Sequence, residues 1–388
     1  MPYSHYASKH EVQPYRFVKF PVLTGRARYP TIEIDEHDPT YVKLLVQSSM
    51  DSKAAQSLLD CFVNILDFMV AHPDELVNEL ISKQTLHSHA SQEGTTSIDS
   101  VGPRFGLAHA AFEKIAEANP SKIAIQSSNG LALPYGDLNA KANSFANWLA
   151  QHGVRPGEMI PLYMEKSPMT LVAILGILKA GASFTPLDPH NPHDRNTFIM
   201  EDVGASRVVT DEKHHGAALA FGTDTIIPEQ MDLESNADQP PVVPELTPDS
   251  VIYAIYTSGS TGLPKGVLVT HSAVTASTEG MIEATGVTSE WNALWVLNYV
   301  FDASYYDVFT IFTVGGTLCL APQDEMLSDL AGYINNMGIQ QVMLTPTITK
   351  LIREGPSQVP GLKVLNVCGE RIGLDILEWA KTVDVYNG

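Results

Sequence analysis

From residue 104 to residue 211 the chain alternates two textures, and that alternation restricts its fold more than any other feature. "FGLAHAAFEKIAEANP" has amphipathic helical spacing and is stopped by Pro120, and "KIAIQS" is a short apolar run. "GDLNAKANSFANWLAQHG" then reads as a helix ending at Gly153, "EMIPLYM" as a strand, "SPMTLVAILGILKAG" as a helix ended by Gly181, and "SFTPLD" as a strand. "RNTFIMEDVG" and "SRVVTD" repeat the pair. Strands separated by helices of this length are joined by crossovers and lie parallel, with the helices flanking the sheet. Sheets of that kind bind ligands in the loops beyond the carboxyl ends of their strands.

One loop carries most of the chemistry. "YTSGSTGLPKGV", residues 256–267, lies between "SVIYAIY" and "GVLVTH", both of which read as buried strands. Strand, loop, strand is not the strand, loop, helix of a P-loop. Pro264 before Lys265 and Gly266 after it also break the GxxxxGK[ST] spacing. Phosphate is still the expected ligand. Gly259, Gly262 and Gly266 let backbone amides approach an anion, Thr257, Ser258, Ser260 and Thr261 add hydroxyl donors, and Lys265 adds a positive charge. The alternative is a flexible Gly/Ser surface turn, which needs neither a fixed lysine nor buried flanks.

Composition narrows the partners. Of 388 residues 24 are Lys or Arg and 44 are Asp or Glu, a formal charge of −20. No basic run stands out, so nucleic acid and anionic membranes are poor partners. Cys61, Cys319 and Cys368 have no metal-ligand spacing and form no disulfide framework. They read as reduced thiols of a cytoplasmic protein, and no apolar run is long enough to span a membrane.

The loop string resembles the phosphate-loop signature of the adenylate-forming superfamily, specifically the amino-acid adenylation domains of nonribosomal peptide synthetases. "LPYGDLNAKAN" from Leu133, "LKAGASFTPLDPHNPHDR" from Leu178, "NYVFDASYYDVF" from Asn298 and "LNVCGERI" from Leu365 resemble further family motifs in order. The match runs from about residue 103 to the end. Two departures stand out: Ser183-Phe184 replaces Tyr/Val in the second motif, and Cys368 replaces a usual glycine. The resemblance implies an adenylate-forming N-terminal core of parallel sheets flanked by helices. It also implies ATP and Mg²⁺, with phosphopantetheine on a partner carrier domain and a condensation domain as further partner.

The implied reaction is attack of an amino-acid carboxylate on the α-phosphorus of ATP, with pyrophosphate leaving. Lys265 would be the catalytic cation, and residues 257–262 with Gly266 would cradle the β- and γ-phosphates. Asp302, in an apolar stretch beside Phe301 and Ala303, would pair with the substrate ammonium. Its alternative role is capping the helix that begins at "SYYDVF", and both can hold at once. Carried over residue by residue, Ala303, Tyr306, Met343, Asn366, Cys368 and Gly388 would line the side-chain cavity; ordinary core packing is the alternative for each. The pocket expected from these residues takes a medium-sized side chain with some polarity. His271 could face the site or be a satisfied structural histidine.

The resemblance places Gly388 at the opening of NxYGPTE, and the ribose-binding aspartate, the hinge and a C-terminal domain with its lysine do not follow. Little pyrophosphate exchange is therefore expected of residues 1–388 alone. Residues 1–82 read as strands "TIEID" and "YVKLLVQ" plus a helix over 52–76, similar to the tail of a condensation domain; a lineage-specific extension is the alternative. Residues 83–102 read as a polar linker, and 103–388 as an incomplete adenylation core. Two other functions fit: an acyl- or aryl-CoA ligase, against which Asp302 argues, and a non-catalytic truncated interaction protein.

Overall fold

The alternating runs become strands of two separate sheets. The computed structural model describes residues 30–34, 42–46, 106–233, 239–243, 245–258, 263–373 and 375–387. The chain divides into two compact units, Met1–Val101 and Gly102–Gly388. In the first, β1 (Pro30–Ile34) pairs antiparallel with β2 (Val42–Val46), Ile32 opposite Leu44. The helix expected over 52–76 and the linker over 83–102 lie outside the described residues.

The second unit starts with α1 (Ala110–Ala118), β3 (Ile123–Ser127), β4 (Ala132–Pro134) and α2 (Tyr135–Gln151). Next come β5 (Met159–Tyr163), α3 (Pro168–Lys179), β6 (Ser183–Leu187), α4 (His193–Asp202), β7 (Arg207–Thr210) and β8 (Asp224–Ile226). The loop strands are β9 (Val251–Ser258) and β10 (Pro264–Thr270), followed without a break by α5 (His271–Thr285). Then follow β11 (Asn292–Leu294), α6 (Ala303–Val314), β12 (Thr317–Leu320), β13 (Gln341–Leu344), β14 (Val364–Val367) and β15 (Asp384–Asn387).

One sheet runs β10-β9-β6-β5-β7-β8 and the other β15-β14-β13-β11-β12-β3-β4. All neighbours are parallel except the edge pairs β10/β9 and β4/β3. An apolar core that includes Ile160 and Phe184 of the first sheet and Ala293 and Leu318 of the second joins them.

Local sequence explains the helix ends near the site. Ser167 caps α3 by accepting from Thr170 N at 3.2 Å, Thr170 returns the bond, and Pro168 occupies the first turn, where its missing N–H costs nothing. Thr270 caps α5, and Gly286 closes it in the left-handed region. Lys179, though buried, is ion-paired with Glu113 and donates to Asn139 Oδ1 at 2.9 Å, so its charge is not stranded in the core. Among the described residues no helix is long and apolar enough to cross a membrane.

Candidate active site

The strands that flank the glycine loop, β9 and β10, pair antiparallel. Ser258 pairs with Pro264, Thr257 with Lys265 and Tyr256 with Gly266. The second strand thus begins one residue before the lysine, and Lys265 belongs to the strand rather than to the loop. Proline at a strand's first position sacrifices no ladder bond. Gly259, Ser260, Thr261, Gly262 and the Ser258 side chain lie outside the described residues. Gly266 is required by close approach, since a Cβ there would sit 3.0 Å from Tyr256 Cζ. That ring cannot swing freely: its hydroxyl donates to Asp202 Oδ2 at 2.5 Å.

Strand alternation orients the hairpin. Tyr253, Ile255 and Thr257 share one face of β9, and Lys265 faces the same side as its partner Thr257. On that face Tyr253 stacks on Tyr305 of α6, with ring centroids 5.0 Å apart. The Asp302 carboxylate is close enough to raise the Tyr253 phenol, although burial is the larger cause. Thr257 and Lys265 are exposed.

Asp302 caps α6, its Oδ1 accepting from Ala303 N at 2.8 Å. The expectation of an apolar neighbourhood around this carboxylate is corrected: Asp302 is exposed, as is Phe301. A helix N-terminus at the protein surface satisfies the charge through backbone N–H groups and water, so the fold itself supplies no cationic partner. The capping alternative therefore holds.

Of the expected pocket residues, Met343 and Cys368 are buried in one cluster with Leu297, and Ala303, Tyr306 and Met281 pack against it. Met343 and Asn366 are register neighbours on β13 and β14. Tyr306 OH accepts from Ser277 of α5 at 3.0 Å. Gly388 lies outside the described residues. Gly369, at φ +77°, holds the left-handed position in "LNVCGERI", so Cys368 can carry a side chain without strain. Burial pushes its thiol up to about 11, which makes it a filler and not a nucleophile. Beside it, Glu370 Oε2 accepts from Thr347 N at 2.9 Å and Thr347 Oγ1 at 2.5 Å, bonds that hold its carboxyl below the usual range. His271 is structural. Its Nδ1 accepts from Ala108 N at 3.2 Å, its ring meets His109 edge-on, and burial pulls both imidazoles down to about 3.

Sequence reasoning passes over the residues that bind the two sheets together at this point. Lys166, just after β5, donates to the carbonyls of Trp295 (2.9 Å), Val296 (2.7 Å) and Leu297 (3.0 Å). Tyr299 OH donates to Met164 O at 2.6 Å, and Asn298 Nδ2 to Asp188 Oδ2 at 2.7 Å. These bonds fix segment 295–299, which leads directly into Asp302. The one signal was position: a lysine in the crossover loop at a strand's carboxyl end. Burial pulls Lys166 down to about 7 and pushes Asp307 of α6 up to about 7, while each charge partly restores the other. Three carbonyls matched to three ammonium protons favour the charged lysine.

The profile of the AMP-binding enzyme family matches residues 112–387. The chain belongs to that family. As an AMP-binding enzyme it falls among the adenylate-forming, ligase-type enzymes. It is 36% identical over 373 residues to nonribosomal peptide synthetase sidE of Aspergillus fumigatus, covering 94% of this chain and 17% of the relative. Nonribosomal peptide synthetase 7 of the same fungus is 33% identical over 380 residues, covering 94% and 16%. The AMP-binding chain thus spans about a sixth of the length of these curated relatives. Among solved structures it is similar in fold to the Klebsiella oxytoca NpsA N-terminal subdomain in complex with 3-hydroxyanthranilyl-AMSN (TM-score 0.64, 21% identity, 73% and 72% of the two chains). A second is the complex of VinN with L-aspartate (TM-score 0.64, 21% identity, 74% and 76%).

Proposed function

We propose that this AMP-binding core activates an amino acid by forming an aminoacyl-adenylate, for loading onto a phosphopantetheinyl carrier domain in nonribosomal peptide synthesis. A carboxylate oxygen of the substrate attacks the α-phosphorus of ATP. The Pα–O bond to the β-phosphate breaks, and its electron pair leaves with pyrophosphate. Lys265, Thr257 and the loop amides of 258–262 hold the departing charge, while Asp302 receives the substrate ammonium at the mouth of the Ala303, Tyr306, Met343, Asn366, Cys368 and Gly388 pocket. The observation that carries this reading is the shared face of β9, which sets Thr257 and Lys265 on the side where Tyr253 stacks on α6, next to Asp302.

Among the described residues no three His, Cys, Asp or Glu side chains gather as a metal site. Magnesium would therefore arrive on the ATP phosphates, and no step here is routed through a protein-held ion. Residues 1–82 and 83–102 we assign to a condensation-domain-like remnant and a linker, a placement supported by the peptide-synthetase relatives, which match 94% of this chain.

Titration calorimetry tests the reading on the 388-residue chain. The ligands are ATP and an aminoacyl sulfamoyl adenosine, an unreactive stand-in for the adenylate. Lys265→Ala should weaken ATP about tenfold, or about 1.4 kcal/mol, and leave the stand-in unchanged. Asp302→Ala should weaken the stand-in by a similar factor and spare an analogue lacking the α-amino group. An Asp302→Ala chain that binds both analogues as before points instead to an acyl- or aryl-acid activator.

A further inference from the structure

The sheet and helix faces that meet at Met343 and Cys368 also hold buried polar side chains whose hydrogen-bonding capacity is largely unfilled. Asn366 is 2% exposed, and neither its Oδ1 nor its Nδ2 has a hydrogen-bond partner. Asp307 is fully buried and its carboxyl has no hydrogen-bond partner other than the neighbouring Gln341 amide, and Gln341, 1% exposed, has an unbonded Oε1. Buried polar atoms left in this state are costly, and three such side chains in one place call for an occupant.

They do stand in one place. Gln341 and Met343 share a face of β13, and Met343 neighbours Asn366 in register, so Asn366 and Cys368 present the same sheet face. On α6, Ala303, Tyr306 and Asp307 lie at i, i+3 and i+4, one helical face. Ala303 and Tyr306 pack onto the Met343 and Cys368 cluster, and the Asp307 carboxylate is close enough to raise the Cys368 thiol. The Gln341 amide lies beside Asp307 and partly offsets the effect of burial on its carboxyl.

The set holds four oxygens (two on Asp307, one each on Gln341 and Asn366) and the Asn366 amide nitrogen; with the proton that burial keeps on Asp307 up to about pH 7, it has at most two donor groups of its own. An occupant must therefore bring donors. Its charge is also constrained, because the Lys166 ammonium already acts on Asp307 as its countercharge. A cation entering here would leave a surplus positive charge in a dry site.

We propose that Asn366, Gln341 and Asp307 form a specificity-determining end wall that selects an amino acid whose side chain is uncharged and donates hydrogen bonds, a carboxamide matching it best. A carboxamide offers two N–H donors to the surplus oxygens and one oxygen to Asn366 Nδ2. The inference rests on the amino-acid pocket proposed above, and it adds Gln341 and Asp307 to that pocket.

The test is calorimetric titration of the 388-residue chain with a matched panel of aminoacyl sulfamoyl adenosines. Asparaginyl and glutaminyl compounds carry donors, leucyl and methionyl compounds are near-isosteres without them, and the ornithyl compound is cationic. A carboxamide compound should bind at least about tenfold tighter than its apolar isostere, because an isostere leaves the wall unpaired. In Gln341→Leu and Asp307→Asn chains, checked for unchanged melting, that ratio should shrink to about threefold or less; the wild-type panel decides alone if either variant fails to fold. Equal or tighter binding of the leucyl and methionyl compounds overturns the wall, assigning its atoms to buried water, while the amino-acid pocket stands. Tightest binding of the ornithyl compound overturns it as well, on charge. Failure of every compound to bind refutes the pocket itself.

Discussion

Replacing Lys166 by Met keeps the buried stem and removes the ammonium that bonds Trp295, Val296 and Leu297. A hydrogen bond to a charged group contributes about 1.5–3 kcal/mol, but three bonds to one ammonium do not add fully. The top of that range, about 3 kcal/mol, is the expected loss near pH 6, where Lys166 still carries its charge. The loss should depend on pH. Asp307 keeps its proton in the fold up to about pH 7, against an ordinary 3.8. Its contribution to stability therefore falls as pH rises from about 4 to 7. Without Lys166 its folded value moves higher, so in the variant the decline continues above pH 7. Lys166, pulled down to about 7 from 10.5, gives up its proton at lower pH in the fold than in the unfolded chain. That term raises wild-type stability between pH 7 and 10.5 and is absent from the variant. Both effects widen the gap above pH 7. Urea unfolding followed by tryptophan fluorescence suits the measurement, because Trp295 is buried and its ring centre is 5.5 Å from Lys166 Nζ. Adding Asp307→Asn should recover part of the loss. A penalty under about 1 kcal/mol, or a gap that stays constant from pH 6 to 9, would refute the reasoning.

Gly266→Val places a branched side chain where even a Cβ sits 3.0 Å from Tyr256 Cζ; ATP affinity, read by calorimetry, should fall about tenfold or more as the hairpin shifts, a loss of at least about 1.4 kcal/mol. Tyr299→Phe removes the hydroxyl bonded to Met164 O and leaves that buried carbonyl unmatched; urea unfolding should show a loss of about 1–3 kcal/mol.

The alternation from 104 to 211 is legible in the sequence because each strand is short, apolar and bounded by Gly or Pro, and the strands fall where those runs lie. The hairpin is legible for a different reason: two apolar β-forming runs flank a glycine cluster too short for a crossover helix, so they pair antiparallel. Asp302 is misjudged because apolar neighbours in sequence do not imply burial; a helix N-terminus turns its cap outward while Ser304 and Tyr305 turn in. Lys166 is invisible for a related reason. Its acceptors are backbone carbonyls some 130 positions away, and backbone leaves no mark on residue type. The end wall is partly visible: Asn366 and Asp307 stand in quoted motifs, although nothing there marks Asp307 as facing Asn366, whereas Gln341 joins them only through sheet register.

There is no connecting loop between β10 and α5: Thr270 ends the strand and caps the helix, and His271 is already in its first turn. Six residues on, Ser277 is bonded to Tyr306. The strand that carries Lys265 therefore runs straight into the helix whose Ser277 holds the Tyr306 hydroxyl, so the hairpin and α6 are tied through one continuous stretch of backbone.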